Sequence, residues 1–259
     1  MATLSIGDAW EGASAFLKRE WTLLLPVSLA FVGLPELVTQ IMGPKIDPSQ
    51  GTAVSVQMTA QILPWLAGLT LAGLLGQLAI SVLVLVPGVS VGEALGRALR
   101  RFPTLIAALA LAGAAGFLGM ILLTILFSAG GQAGMKFGLG VMMAAGLVLA
   151  LRLMVTYVVV AAEPVGPVQA LRRSWQLTGH HALKLLGFCV VSLAALIALS
   201  VVVGAIGSVL RIFDALGGPD LTATVVGILG ALVNSVAVMV YSVVTVFLYR
   251  QLAGSNSGT

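Results

Sequence analysis

Two histidines, one cysteine and nine carboxylates are the groups in this 259-residue chain that could bind metal or carry acid–base chemistry. His180 and His181 are adjacent, so on a helix they project to different sides. A zinc-peptidase helix instead needs two histidines four apart with a glutamate between them. Ser174 lies near both, but no acid follows to orient either ring as the base of a serine nucleophile. Cys189 is single, which excludes an intrachain disulfide and a cysteine-based zinc site. Among the acids, Asp8, Glu11, Glu20 and Glu93 sit before apolar runs, and Asp47, Asp214 and Asp220 fall in connections. Only Glu36 and Glu163 stand at the edges of long apolar stretches, and no acid lies in the middle of one. A proton-coupled carrier would normally place one there. The pattern therefore predicts no catalytic residue, no metal ligand and no cofactor.

The arginines are more informative. Arg152 lies inside an apolar run, about ten residues from its end at Ala162, or roughly 15 Å along a helix. That depth costs about 2.5–3.5 kcal/mol on the biological insertion scale. A charge so placed should face other helices and find carbonyls, a hydroxyl or an acid. Glu163 is the expected structural partner of Arg152, and an anionic headgroup is the alternative. Arg97, Arg100 and Arg101, with Arg172 and Arg173, form two further clusters. They read as a basic belt contacting anionic lipid, worth about 1 kcal/mol per residue near the surface. The plainer reading is that they only set topology.

The elements that must position these groups are set by composition. Hydrophobic residues make up 59% of the chain and charged residues 8%, with mean hydropathy +1.10. Thirteen basic and nine acidic side chains cannot solvate a globule of this size, so the natural solvent is lipid. Six stretches have about the 20 residues that a crossing needs: Trp21–Val38, Ile62–Val86, Thr104–Phe127, Phe137–Ala162, Leu185–Leu210 and Leu221–Tyr249. Pro26 and Pro35 predict a kink in the first. Asp8, Glu11 and Glu20 stand where a secretory leader would be basic, so no leader is expected. The net charge of +4 flanks apolar runs instead of forming a phosphate-binding face, which argues against nucleic acid as a partner.

Orientation follows from the loops. One side holds Lys18, Arg19, Arg97, Arg100, Arg101, Arg172, Arg173, Lys184 and Arg250, and the other holds only Lys45, Lys136 and Arg211. The positive-inside rule then predicts both termini in the cytoplasm.

An internal repeat organises the chain into units at about 5–86, 90–162 and 164–249 within one membrane domain spanning 1–259, with 250–259 as a short tail. Gly7, Gly92 and Gly166 mark corresponding positions. Each unit opens on a basic segment with helical apolar spacing, as in Val91, Ala94, Leu95, Ala98, Leu99 and Phe102. Ser5 with Asp8, and Ser90 with Glu93, carry N-cap signals, while Gly166-Pro167 places proline at a first helical position. The expected fold is all-α: six transmembrane helices in three hairpins, each preceded by a short amphipathic interfacial helix. Small residues four apart (Gly68, Ala72, Gly76; Ala108, Ala112, Gly116; Ser200, Gly204, Ser208) predict close helix packing.

The segment Glu163-Pro164-Val165-Gly166, followed by Ala170-Leu171-Arg172-Arg173-Ser174-Trp175 and Leu177-Thr178-Gly179, resembles bacterial six-helix proteins labelled as the membrane domain of glycerophosphoryl diester phosphodiesterase. Arg152 also falls where that family often has an arginine. The catalytic part of such systems is a separate barrel of about 250 residues, and this chain has used its length on spans. The resemblance thus implies a bacterial inner-membrane companion module without hydrolytic activity. The function expected is a non-catalytic module engaging lipids or a protein partner, which could be a second copy. A small transporter or lipid-handling carrier, and an accessory domain of a phosphodiesterase system, are the alternatives.

Overall fold

The computed structural model describes residues 5–44, 56–179, 182–215 and 221–255. Its elements are α1 (Ile6–Ser28), a π-helical turn (Leu29–Gly33), α2 (Leu34–Met42), α3 (Val56–Leu85), α4 (Val91–Ser128), α5 (Gly131–Leu153), α6 (Thr156–Ala162), α7 (Pro167–Gly179), α8 (Ala182–Ala215) and α9 (Leu221–Ser255). There is no strand among the described residues. Six stretches are long and apolar enough to cross a membrane: Ile6–Met42, Gln61–Leu85, Val91–Ser128, Gly131–Ala162, Ala182–Ile212 and Thr224–Gly254. The protein is an all-α, polytopic membrane protein. Lys45, Asp47, His180, His181 and Asp220 lie outside the described residues.

Local chemistry explains the helix starts. Ser90 Oγ accepts from the Glu93 amide and Glu93 Oε2 accepts from the Ser90 amide, each at 3.3 Å, closing a capping box. Ser5 Oγ accepts from the Asp8 amide at 3.2 Å, while the Ser5 amide donates to Gln251 Oε1 near the other end of the chain. Pro167 opens α7, as the missing N–H permits. The first span leaves regular α-helical geometry close to its prolines. Just beyond Pro26 the helix widens into the π-helical turn, and Pro35 falls in the first turn of α2.

Two details differ from the sequence expectation. The basic segment of the second unit is not a separate helix: it runs into its span as one 38-residue helix, α4, with Pro103 accommodated inside it. The basic segment of the first unit is set off from its span by a kink at Glu20, where the backbone leaves helical geometry, and α7 is a separate short helix. The 250–259 tail is likewise helical as far as Ser255, because α9 continues through it.

α1 lies along α9, so the first and last spans close the bundle, while α3 packs on α4 and α6 and α8 packs on α9. The densest core is at the arginine-rich end. Leu24, Leu78, Ile80, Val84, Ala94, Ala98, Val155, Val158, Leu177, Leu185, Met239 and Leu248 are buried there. The apolar stretch of α8 is only 6% buried within the protein, so most of its surface needs lipid as solvent. The small-residue stripes divide. A Cβ at Gly76 would come within 2.6 Å of Phe31, but one at Gly68 or Gly204 would meet nothing within 4 Å.

Candidate functional site at the arginine-rich end

The arginines separate into an outward and an inward set. Arg97 and Arg100 are exposed on α4, on the side away from buried Ala94 and Ala98. Arg172 is exposed on α7, in a stripe with exposed Val168 and Trp175, opposite buried Ala170, Ser174 and Leu177. Helical spacing of three and four residues produces both stripes.

Arg101 turns inward. Its Nη1 donates to the carbonyls of Val160, Ala161 and Glu163 at 2.8, 2.9 and 3.1 Å. These groups close the C-terminus of α6, where unpaired carbonyls and the negative end of the helix dipole favour a cation. Arg250 does the same for α3, its Nη2 donating to Val84 O at 2.8 Å. The five-arginine belt is therefore divided. Arg97, Arg100 and Arg172 face out, Arg101 caps a helix, and Arg173 is half-buried in an ion pair.

Arg152 does not pair with Glu163. The fourth span is not continuous: α5 stops at Leu153, Met154 and Val155 form a turn, and α6 begins at Thr156. The Ser174 hydroxyl donates to the Arg152 carbonyl, which this break removes from the ordinary ladder. Ser174 is fully buried, so it is a joint between helices. Arg152 Nη1 donates to Trp175 O at 2.9 Å, and its guanidinium lies 5.0 Å from the centroid of the Trp175 ring. Glu163 is engaged elsewhere. Its Oε1 accepts from Tyr249 OH at 2.8 Å and from Arg173 Nε at 3.4 Å. The expected pair fails because the break seats α7 against the end of α5, giving Arg152 a carbonyl and an indole face.

Tyr249 and Arg250 escaped sequence reasoning as site residues. Arg250 read only as a topology charge, and nothing local links Tyr249 to a glutamate 86 residues away. Together, Arg101, Glu163, Arg173, Tyr249 and Arg250 knit α3, α4, α6, α7 and α9, leaving three outward arginines as surface charge. None of these three has an ion pair or hydrogen bond within the described part of the molecule. Such a surface can attract anions through charge.

No curated protein and no solved structure matches the chain significantly. A family profile described as a domain of unknown function, DUF7847, matches residues 4–252. With nearly its whole length covered, the chain belongs to the DUF7847 family.

Proposed function

We propose that this protein is a non-catalytic module of the bacterial inner membrane, with both termini cytoplasmic, whose basic face engages anionic lipid headgroups. The observation carrying this reading is that Arg97, Arg100 and Arg172 stay exposed while Arg101, Arg152, Arg173 and Arg250 are taken up by carbonyls, an indole or Glu163. Exposed Leu99, Val168, Trp10 and Trp175 accompany them, and apolar side chains beside cations suit the boundary of headgroups and acyl chains. The α4 and α7 segments then act as interfacial surfaces, one continuous with its span and the other separate. A role as the membrane companion of a phosphodiesterase fits the same surface. A lipid-handling carrier is favoured instead by a cleft at the opposite end of the bundle, where Gln40, Ser208 and Arg211 stand among glycines and valines.

The test is thermal unfolding of the detergent-solubilised protein with added phosphatidylglycerol or phosphatidylcholine. Anything binding the folded state raises its melting temperature. Phosphatidylglycerol should raise it further than phosphatidylcholine at low salt, and an R97Q/R100Q/R172Q variant should lose that difference. Equal shifts from both lipids in the unaltered protein would retire the proposal.

A further inference from the structure

At the end opposite the arginine-rich core, α2 and α8 each pack on α9 and leave a cleft of about 410 Å³. Glycines shape it. A Cβ on Gly207 of α8 would come within 2.8 Å of Val226 of α9, and one on Gly227 of α9 would collide with the Gln40 amide oxygen. Both neighbours therefore approach α9 closely at this level and close the back of the cleft. Gly204 and Gly230 lie one turn nearer the middle of the bundle and are open, since a Cβ on either would meet nothing within 4 Å.

Polarity falls along the cleft from its rim inward. Arg211 stands nearest the end of α8, Ser208 and Gln40 come about one turn deeper, and Val203, Gly204 and Gly230 are deepest. From Arg211 to Gly204 is seven residues, or roughly 10 Å along the helix. Arg211 is exposed and has no hydrogen bond or ion pair among the described residues. Gln40 turns its amide oxygen to the backbone of α9, and its N–H groups have no acceptor among the described residues. None of the described residues lining the cleft is acidic.

We propose that this cleft seats one glycerophospholipid of the leaflet at that end, with its phosphodiester on Arg211 and an acyl chain running inward past Gly204 and Gly230. The order matches the molecule: charge nearest water, ester carbonyls at the level of the Gln40 donors, and hydrocarbon deepest. Arg211 offers the planar donor fork that phosphate oxygens accept. Lipid can reach the cleft from both sides, because Ile41 and Met42 on α2 and Val202, Ile206 and Val209 on α8 are exposed apolar side chains. Arg211 is the one charged group among the described lining residues, so the phosphodiester is recognised and the headgroup alcohol beyond it is not. This site is separate from the basic face and does not depend on it.

The experiment is native mass spectrometry of the full detergent-solubilised chain incubated with phosphatidylethanolamine, phosphatidylglycerol or diacylglycerol of the same acyl chains. The R97Q/R100Q/R172Q background removes charge-driven retention at the other end. In that background the two phospholipids should be retained alike, and about tenfold better than diacylglycerol, as one charge-assisted contact implies. R211Q should bring both phospholipids down to the diacylglycerol level. G204L fills the inner part of the cleft, so retention of all three should fall at an unchanged melting temperature; should it fold poorly, G230L on the facing helix serves in its place. Diacylglycerol retained as well as the phospholipids, or full phospholipid retention in folded R211Q or in the folded leucine variant, overturns the site. A tenfold preference for one phospholipid over the other would overturn recognition through the phosphodiester alone. Soluble glycerol 3-phosphate should leave the lipid in place; displacement would overturn the lipid as source.

Discussion

Arg152 holds Trp175 twice, through a 2.9 Å hydrogen bond to its carbonyl and through a guanidinium 5.0 Å from its ring centroid. Both contacts join the end of α5 to the last turn of α7, across the break that interrupts the fourth span. A cation at a helix C-terminus and a cation over an indole each contribute about 0.5–1 kcal/mol in such half-exposed positions. Arg152→Leu should therefore destabilise the protein by about 1–2 kcal/mol, measured by thermal unfolding in detergent. Trp175→Ala removes the ring and keeps the carbonyl, so the double variant should lose less than the sum of the two. Strict additivity would show that the stacking contributes nothing.

Arg101 and its neighbours Arg97 and Arg100 differ in what they touch, and stability should separate them. Arg101→Met strips three carbonyls at the end of α6 of their donor and should cost about 2–3 kcal/mol. Arg97→Gln and Arg100→Gln alter exposed surface and should stay within about 0.5 kcal/mol. Comparable losses in all three would contradict the division into inward and outward arginines.

That division also marks how far the sequence could be read. The six spans, the Ser90–Glu93 capping box, the proline at the start of α7 and an irregularity after Pro26 were legible because each depends on residues within a few positions of one another. The part Ser174 plays as a joint is not legible, since its acceptor belongs to a helix break that an uninterrupted apolar run conceals. The cap of Arg101 on α6 spans 59 to 62 positions, and that of Arg250 on α3 spans 166. No local periodicity encodes such contacts. Glu36 read as the edge of a span because Asn234, 198 positions away, gives it a partner only once α1 and α2 lie along α9.

The seam between the first and last spans is tight enough to test with one methyl group. A Cβ on Gly33 would stand 2.6 Å from Ser235 Oγ, whose hydroxyl donates to Ala231 O, while Ser28 Oγ donates to Ser235 O. Gly33→Ala should cost about 1–3 kcal/mol through overpacking. Adding Ser235→Ala removes the colliding oxygen and should recover most of that loss. Gly204→Ala, with nothing within 4 Å, is the neutral control. A Gly33→Ala protein as stable as the control would mean that the two helices part without cost.

Orientation in the membrane is the last expectation, and it rests on the charges of the loops. Nine of the twelve loop cations counted above lie at the arginine-rich end, which the positive-inside rule assigns to the cytoplasm. At that same end α3 and α6 terminate, so their dipoles present negative poles there, and Arg250 and Arg101 neutralise them. The cations that set topology during insertion would thus also hold the finished bundle together. In a Cys189→Ser background, Gln132→Cys lies at the far end, at the start of α5, and Gln176→Cys lies on α7; both positions are exposed. A membrane-impermeant maleimide applied to intact cells should label Gln132→Cys and leave Gln176→Cys unmodified until the cells are lysed. Labelling of Gln176→Cys in intact cells would invert the topology. The arginine-rich face would then meet the outer leaflet, and the cleft below Arg211 would open to the cytoplasm.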